Sequence, residues 1–449
     1  MTPVLLLAAC SLGPAYHRPA LDLPDSYRGE SPGRTDSLGD LAWWNVYRDP
    51  QLQALIRTAL AGNRDVQLAA ARVRQARALY GVSQLARLPQ VDASLGALKG
   101  RSLTLGQYAS GTEYSAGIQV SWEIDFWRRL SNLSEAARAD LLASEQGREA
   151  VESSLVGDVA TAWFDLVALD RKALITARTA DTRQRFLDLT RSKFRRGAAA
   201  GLDVSRAEAS LALARADLPD LRRQIEQTEN RLQVLLGANP TAVTRQDADL
   251  PLPPEVPAGL PSSLLERRPD LRQAESVLRG AGARTLATKA ELFPTLSLTG
   301  SLGSESLALA DLFTGPARVW SFGAGILQPL LDAQHNGRRL EAARAQEEQA
   351  LILYAQAVAQ AFREVSDALI ARRFLAQVLD AQEQQVRSLG DASRRVLKRY
   401  EIGFSSYFEV VDADRDLYTA QLQEVQARHD LLLATVQLYK ALGGGWQRE

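Results

Sequence analysis

Three groups of residues in this 449-residue sequence have the types and spacing to do chemistry. Phe408, Asp412 and Arg415 lie four and three positions apart, which on a helix places a ring, a carboxylate and a guanidinium on one face. By itself such a carboxylate–guanidinium pair is a solvated contact worth about a few tenths of a kcal/mol. Cys10 is the single cysteine, so it can carry a covalent group but has no partner for an intramolecular disulfide. His17, His335 and His429 are too scattered for a Cys/His metal cluster, and none stands in a nucleophile or base setting. No catalytic residue, cofactor site or metal site is expected, and the chain does not read as an enzyme.

The elements that must carry these residues are long helices. Residues 128–196 and 333–402 contain no proline, and Val386, Leu389, Ser393, Val396 and Tyr400 keep the 3-4 spacing of a narrow seam. At 1.5 Å per residue such helices run roughly 100 Å, several times the globular norm. Glycine turns at Gly197 and Gly403 then reverse the chain into helices over 202–236 and 407–442. In the last of these, His429 falls among Leu422, Val425, Leu432 and Val436 at seam spacing, which makes it a packing residue. Shorter helices over 50–87 and 264–292 end before Pro89 and Pro294.

Landmarks recur at one offset through the chain. Gly197 and Gly403, Leu211 and Leu417, and Glu135 and Glu341 are each 206 positions apart. Ala160-Thr161-Ala162-Trp163 and Ala359-Gln360-Ala361-Phe362 are 199 apart, which places one heptad more before the second glycine turn. The chain therefore reads as two internal repeats, 50–237 and 263–443, each ordered helix, strand, strand, long helix, turn, helix. Between them lies a proline-rich link, 238–262, and residues 444–449 form a tail. Arg206 in the first repeat stands where Asp412 stands in the second, so the two hairpin tips offer opposite charges.

The strands have two unlike faces. From Tyr114 to Phe126 every even residue is apolar, while the odd ones are Ser115, Gly117, Gln119, Ser121, Glu123 and Asp125. Leu296, Leu298 and Leu302 alternate with Ser and Thr, and Trp320, Phe322, Ala324 and Ile326 alternate with Ser321, Gly323 and Gly325. A soluble sheet with one core face would show this pattern, and so would a transmembrane barrel, apolar outside and wet inside. Four strands cannot close a barrel that needs roughly eight, so in a membrane several copies must share one.

Composition narrows the partners. Lys+Arg and Asp+Glu both total 53, which leaves no basic excess to draw nucleic acid. The apolar run Val4–Ala9 is far shorter than a spanning helix and stops at Leu7-Ala8-Ala9-Cys10, which resembles a bacterial lipobox. Residues 1–9 would then be a short or truncated signal segment, with no Lys or Arg before its apolar run. Cys10 would carry the lipid, and Ser11 after it, in place of Asp, fits outer-membrane sorting.

Over nearly its whole length the sequence resembles the lipoprotein branch of the TolC-like outer-membrane efflux channels. The resemblance is carried by Cys10 with Pro14-Ala15-Tyr16 and Arg18-Pro19, and by Trp43-Trp44 with Asp49-Pro50-Gln51-Leu52. Trp122-Glu123-Ile124-Asp125, Glu266-Arg267-Arg268-Pro269-Asp270, Phe293-Pro294 and the ending Leu438-Tyr439-Lys440-Ala441-Leu442-Gly443-Gly444-Gly445-Trp446 complete it. It implies an α+β, mainly α fold: a coiled-coil-like helical barrel plus four transmembrane strands per chain, with a homotrimer sharing one twelve-stranded β-barrel. Residues 10–49, the link and the C-terminus would form an equatorial belt. Its implied partners are outer-membrane lipid, a periplasmic adaptor protein and a proton-driven inner-membrane pump, the chain itself being their passive exit duct. Phe408, Asp412 and Arg415 fall where this branch carries its periplasmic gate, with Arg206 as a tip partner. A non-conducting coiled-coil lipoprotein is the alternative, and it leaves the paired amphipathic strands unexplained.

Overall fold

The computed structural model describes residues 13, 16–20, 24, 27–28, 37–104, 107–245, 263–328 and 333–446; Cys10, the segment 1–9 and residues 246–262 of the link lie outside them. Helices α1 (Trp43–Val46), α2 (Pro50–Gly62) and α3 (Arg64–Leu85) lead into strands β1 (Gln90–Thr104) and β2 (Gln107–Ile124). The long helix α4 (Arg129–Arg195) and α5 (Gly201–Leu235) follow. After the link come α6 (Leu264–Arg267), α7 (Pro269–Ala290), β3 (Thr295–Ser306), β4 (Arg318–Leu327), α8 (Ala333–Glu401) and α9 (Tyr407–Ala441).

The chain divides into two compact units. One comprises 1–21, 71–146 and 273–356 and holds the four-stranded antiparallel sheet, ordered β1-β2-β3-β4. The other comprises 22–70, 147–272 and 357–449. Its core gathers Trp43, Leu52, Ile56, Trp163, Leu166, Leu438 and Tyr439, all nearly or fully buried. The polar edges of these large rings are satisfied: Trp163 Nε1 donates to Asp49 Oδ2 at 2.9 Å and the Tyr439 hydroxyl donates to the Leu41 carbonyl at 2.8 Å.

Four expectations need correction. The helix read over 50–87 is two helices, because Asn63 is extended at ψ 136°. Its Oδ1 accepts from the Asp65 and Val66 amides, capping α3, while its Nδ2 donates to the Leu235 carbonyl at 2.9 Å. The helix read over 264–292 is likewise split at Arg268, since the residue before a proline is pushed out of the helical region and Pro269 starts α7. Phe126 is not a strand residue: β2 stops at Ile124 because Asp125 turns the chain to cap α4. The long helices have 67 and 69 residues, so the heptad shift read between the halves is not a net lengthening.

Asn63→Ala removes both the cap and the bond to Leu235. It should lower the thermal midpoint of the detergent-solubilised protein, the loss of the cap alone costing about 1 kcal/mol of stability. Asn63→Asp, which keeps the capping oxygen, should lose less when the two are compared by near-ultraviolet circular dichroism melts.

Candidate functional site

The first candidate surface is the sheet. Its register puts Val91, Ala93, Leu95 and Ala97 of β1 across from Val120, Ile118, Ala116 and Tyr114 of β2. Ile118 faces Leu302, and Leu302 faces Trp320; Trp122 faces Leu298, and Leu298 faces Ala324. Over residues 91–97, 114–124, 296–302 and 320–326 this face is therefore apolar, while Lys99, Arg101, Thr112, Ser304 and Arg318 continue it beyond that band. It is also exposed, with Trp320, Phe322 and Ile326 at 78%, 74% and 75%. A protein in water does not leave that area of large side chains uncovered.

The other face carries Ser94, Gly96, Ser115, Gly117, Gln119, Ser121, Ser297, Thr299, Ser301, Ser321, Gly323 and Gly325. The hydroxyls of Ser301 and Ser321 lie 2.7 Å apart across the β3–β4 pair. Among the described residues β1 and β4 are both edges, each with a row of main-chain groups unpaired by another strand. No helix among the described residues is long and apolar enough to cross a membrane.

The second candidate lies at the turns joining α4 to α5 and α8 to α9. Gly197 and Gly403 have φ of 74° and 86°, the left-handed conformation that ends a helix. In each turn the amide after the glycine reaches back, Ala198 to the Lys193 carbonyl and Phe404 to the Arg399 carbonyl, at 2.9 and 2.8 Å. Ser406 and Glu409 then form a reciprocal capping box for α9. Below the turns, Ala180, Leu187, Ala207, Leu211, Ala214, Tyr400, Tyr407 and Val410 make one core from all four helices. Burial pushes the Tyr407 hydroxyl up to about 12.

The acidic cluster past Gly403 divides by depth. Asp412 pairs with Arg415 at 2.6 Å, and Arg415 also reaches Asp416 at 3.0 Å, with all three side chains more than two-fifths exposed. Asp414 turns inward to Arg183 Nε at 2.8 Å, where Arg183 is 3% exposed. The same guanidinium donates to the Ser210 carbonyl at 2.9 Å and lies 5.1 Å from the Tyr418 ring centroid. The Tyr418 hydroxyl in turn donates to Asp217 at 2.9 Å. Arg183 thus joins α4, α5 and α9, and sequence reasoning did not single it out; an arginine at seam spacing, three positions after Ala180, was the available signal.

Arg206 does meet the second hairpin, but at Phe408 and not at Asp412: its guanidinium carbon lies 5.2 Å from the Phe408 ring centroid. Phe408, 55% exposed, is left with an open edge. His429 is buried as its spacing implied, yet its Nε2 lies 2.7 Å from Asp165 Oδ1, so it is a polar tie within the seam. Among the described residues no group of His, Cys, Asp and Glu could hold a metal ion.

A surface with an apolar belt, a hydroxyl-lined face and open edges has counterparts in known proteins. The chain is 33% identical to the cation efflux system protein CusC of Escherichia coli, covering 99% of this chain and 97% of that one. It is also 33% identical to the probable outer membrane lipoprotein SilC of Salmonella typhimurium, covering 99% and 98%. The solved outer-membrane channel OprN superposes with a TM-score of 0.91 at 30% identity, over 98% of this chain and 100% of that one. The profile of the outer membrane efflux protein family matches twice, over residues 55–238 and 260–444. The chain therefore belongs to the outer membrane efflux protein family and is an exit duct of efflux across the outer membrane, a passive channel and not an enzyme.

Proposed function

We propose that three copies of this chain close one twelve-stranded barrel in the outer membrane and continue beneath it as a helical duct. The observation that carries this reading is the open sheet, apolar and exposed on one face and hydroxyl-lined on the other. Lipid offers no water to the edges of β1 and β4, so other copies must pair with them. Two copies would give eight strands and a lumen filled by side chains, whereas three leave a passage. Exposed Leu79, Val82 and Leu85 on α3, and Ile352 and Leu353 on α8, are apolar surface that neighbouring copies would cover.

The element order of the first half returns in the second, and the family profile matches each half separately, which supports two internal repeats over 50–237 and 263–443. The belt reading is supported by the joining of distant segments. Arg267 pairs with Asp40 at 2.8 Å, and Ser153 Oγ donates to the Gly444 carbonyl. The duct works with a periplasmic adaptor and a proton-driven inner-membrane pump. It conducts passively: with one Met, one Cys and three His in the whole sequence, the chain has no series of soft ligands along which to relay a metal cargo.

Phe408, Asp412 and Arg415, with Arg206 against Phe408, form the gate at the helix tips. In a trimer three Asp412 carboxylates would repel one another unless Arg415 or a bound cation offsets them. The exposure of the pair supports this, because a solvated pair exchanges partners at little cost. Cys10 carries the lipid. Gly13 lies against the Leu286 side chain, nine residues before β3 begins at Thr295. Tyr16 and Arg18 are held by Glu275, the Arg18 Nη2 bond being 2.8 Å long.

Conductance across a planar bilayer tests the gate. Asp412→Ala should open more often or more widely than the wild type. Equal openings would remove Asp412 from the gate, and silence from both, with trimers confirmed in the bilayer, would favour the non-conducting lipoprotein. Cys10→Ala should abolish labelling by radioactive palmitate in cells while trimers still form; label retained in the variant would overturn the lipid assignment.

A further inference from the structure

Among the described residues Arg128 is the one non-glycine residue in the left-handed region, with φ 61°. A glycine would adopt this conformation without strain, and an arginine does not. The turn around it has clear causes. Asp125 accepts from the amides of Leu130 and Ser131 at 2.9 and 2.7 Å, which starts α4. Trp127 Nε1 donates to the Pro294 carbonyl at 2.8 Å, and its ring stacks on Phe293 with centroids 4.7 Å apart. None of this needs an arginine side chain at position 128. That side chain is exposed and pairs with no described residue, whereas its neighbour Arg129 is held by Glu123 at 2.6 Å.

The position lies where the apolar face of the sheet ends. Ile124, Leu296 and Ile326 form its last row, with Trp122, Leu298 and Ala324 in the row before. Trp122 Nε1 donates to the Arg87 carbonyl at 3.0 Å, which brings a second exposed arginine, also without a described partner, to the same boundary. The nearby carboxylates are occupied: Glu123 by Arg129, Asp125 by the α4 amides and Glu291 by Arg339. Tryptophan and phenylalanine rings with unpaired guanidiniums at the limit of an apolar band match the headgroup level of a bilayer. A guanidinium also offers two parallel donors to a phosphate.

We propose that Arg128, with Arg87 as a second cation, binds the net-negative headgroup of an anionic phospholipid, whose phosphodiester is not neutralised by a choline ammonium, and that this contact is why the strained residue is an arginine. The proposal rests on the reading that the sheet spans the membrane. The test uses the full chain in nanodiscs of phosphatidylcholine, with or without phosphatidylglycerol, followed by thermal melting. Phosphatidylglycerol should raise the wild-type midpoint. Arg128→Gly should melt no lower than wild type in phosphatidylcholine, since the strain is relieved, yet need on the order of tenfold more phosphatidylglycerol for the same rise. Arg128→Lys should need an intermediate amount. A full rise in Arg128→Gly would overturn the site, and the same rise produced by inorganic phosphate in phosphatidylcholine discs would overturn the lipid as its ligand. Failure of the wild type to enter either disc would instead sink the membrane reading itself.

Discussion

The constraint on which everything else depends is the main-chain hydrogen bonding of a sheet that has two open edges. In water such edges are tolerable, and proteins blunt them with charge, bulges or short strands. In hydrocarbon they are not, because an unpaired amide or carbonyl has no solvent to turn to. The strands here are 15, 18, 12 and 10 residues long and carry no proline. Their regular pairing invites extension by further strands. The alternation of side chains keeps the apolar band and the hydroxyl-lined face distinct, since a one-residue slip would exchange them throughout.

The helix tips combine a packed core with a solvated outer layer. Alanines at 180, 207 and 214 let four helices approach closely, and the tyrosine pair Tyr400 and Tyr407 fills the space that remains. Arg183 is buried and Asp414 half-buried against it, so removing Asp414 would leave a buried guanidinium without its counter-ion, a large penalty. Asp412 and Arg415 are solvated and nearly free to separate. The two ion pairs involve residues two positions apart on one helix, yet they differ in kind. Breaking the outer pair alone would leave the inner one intact.

Much of this was legible in the sequence, and the reason is periodicity. A 67-residue helix repeats its pattern often enough that its limits emerge within a residue, and strict alternation exposed β2, β3 and β4. Local chemistry was harder to see. Asn63 interrupts a good helical pattern only because its amide finds the Leu235 carbonyl, 172 residues away. β1 was not delimited, since Gly96, Lys99, Gly100 and Arg101 dilute its alternation. At the tip, spacing put Phe408, Asp412 and Arg415 on one face correctly, but could not tell that Arg206 meets the ring and not the carboxylate. Helical spacing gives the face a residue occupies, while its partner depends on how a second helix is rotated against the first.

That rotation, and the sliding of one helix along another, is fixed by polar ties more than by the apolar seam. A seam of repeating small and aliphatic residues would accept a slip of one heptad, about 10.5 Å along the axis, with little change in buried area. The ties would not. Asp165 accepts from both His429 and Arg231; burial works against its charge, but these donors outweigh it and hold the carboxyl below its ordinary value. Arg268 is held by Asp270, by Glu364 at 2.7 Å and by the Ala441 carbonyl at 3.1 Å. Arg245 joins Asp170 to Glu229. Each tie is built from residues on different elements, so a slip would strand several buried polar groups at once, each at a cost of about 1–3 kcal/mol. Long helices with a nearly uniform seam need such a device if one register is to win, much as a single buried polar residue fixes the register of a coiled coil.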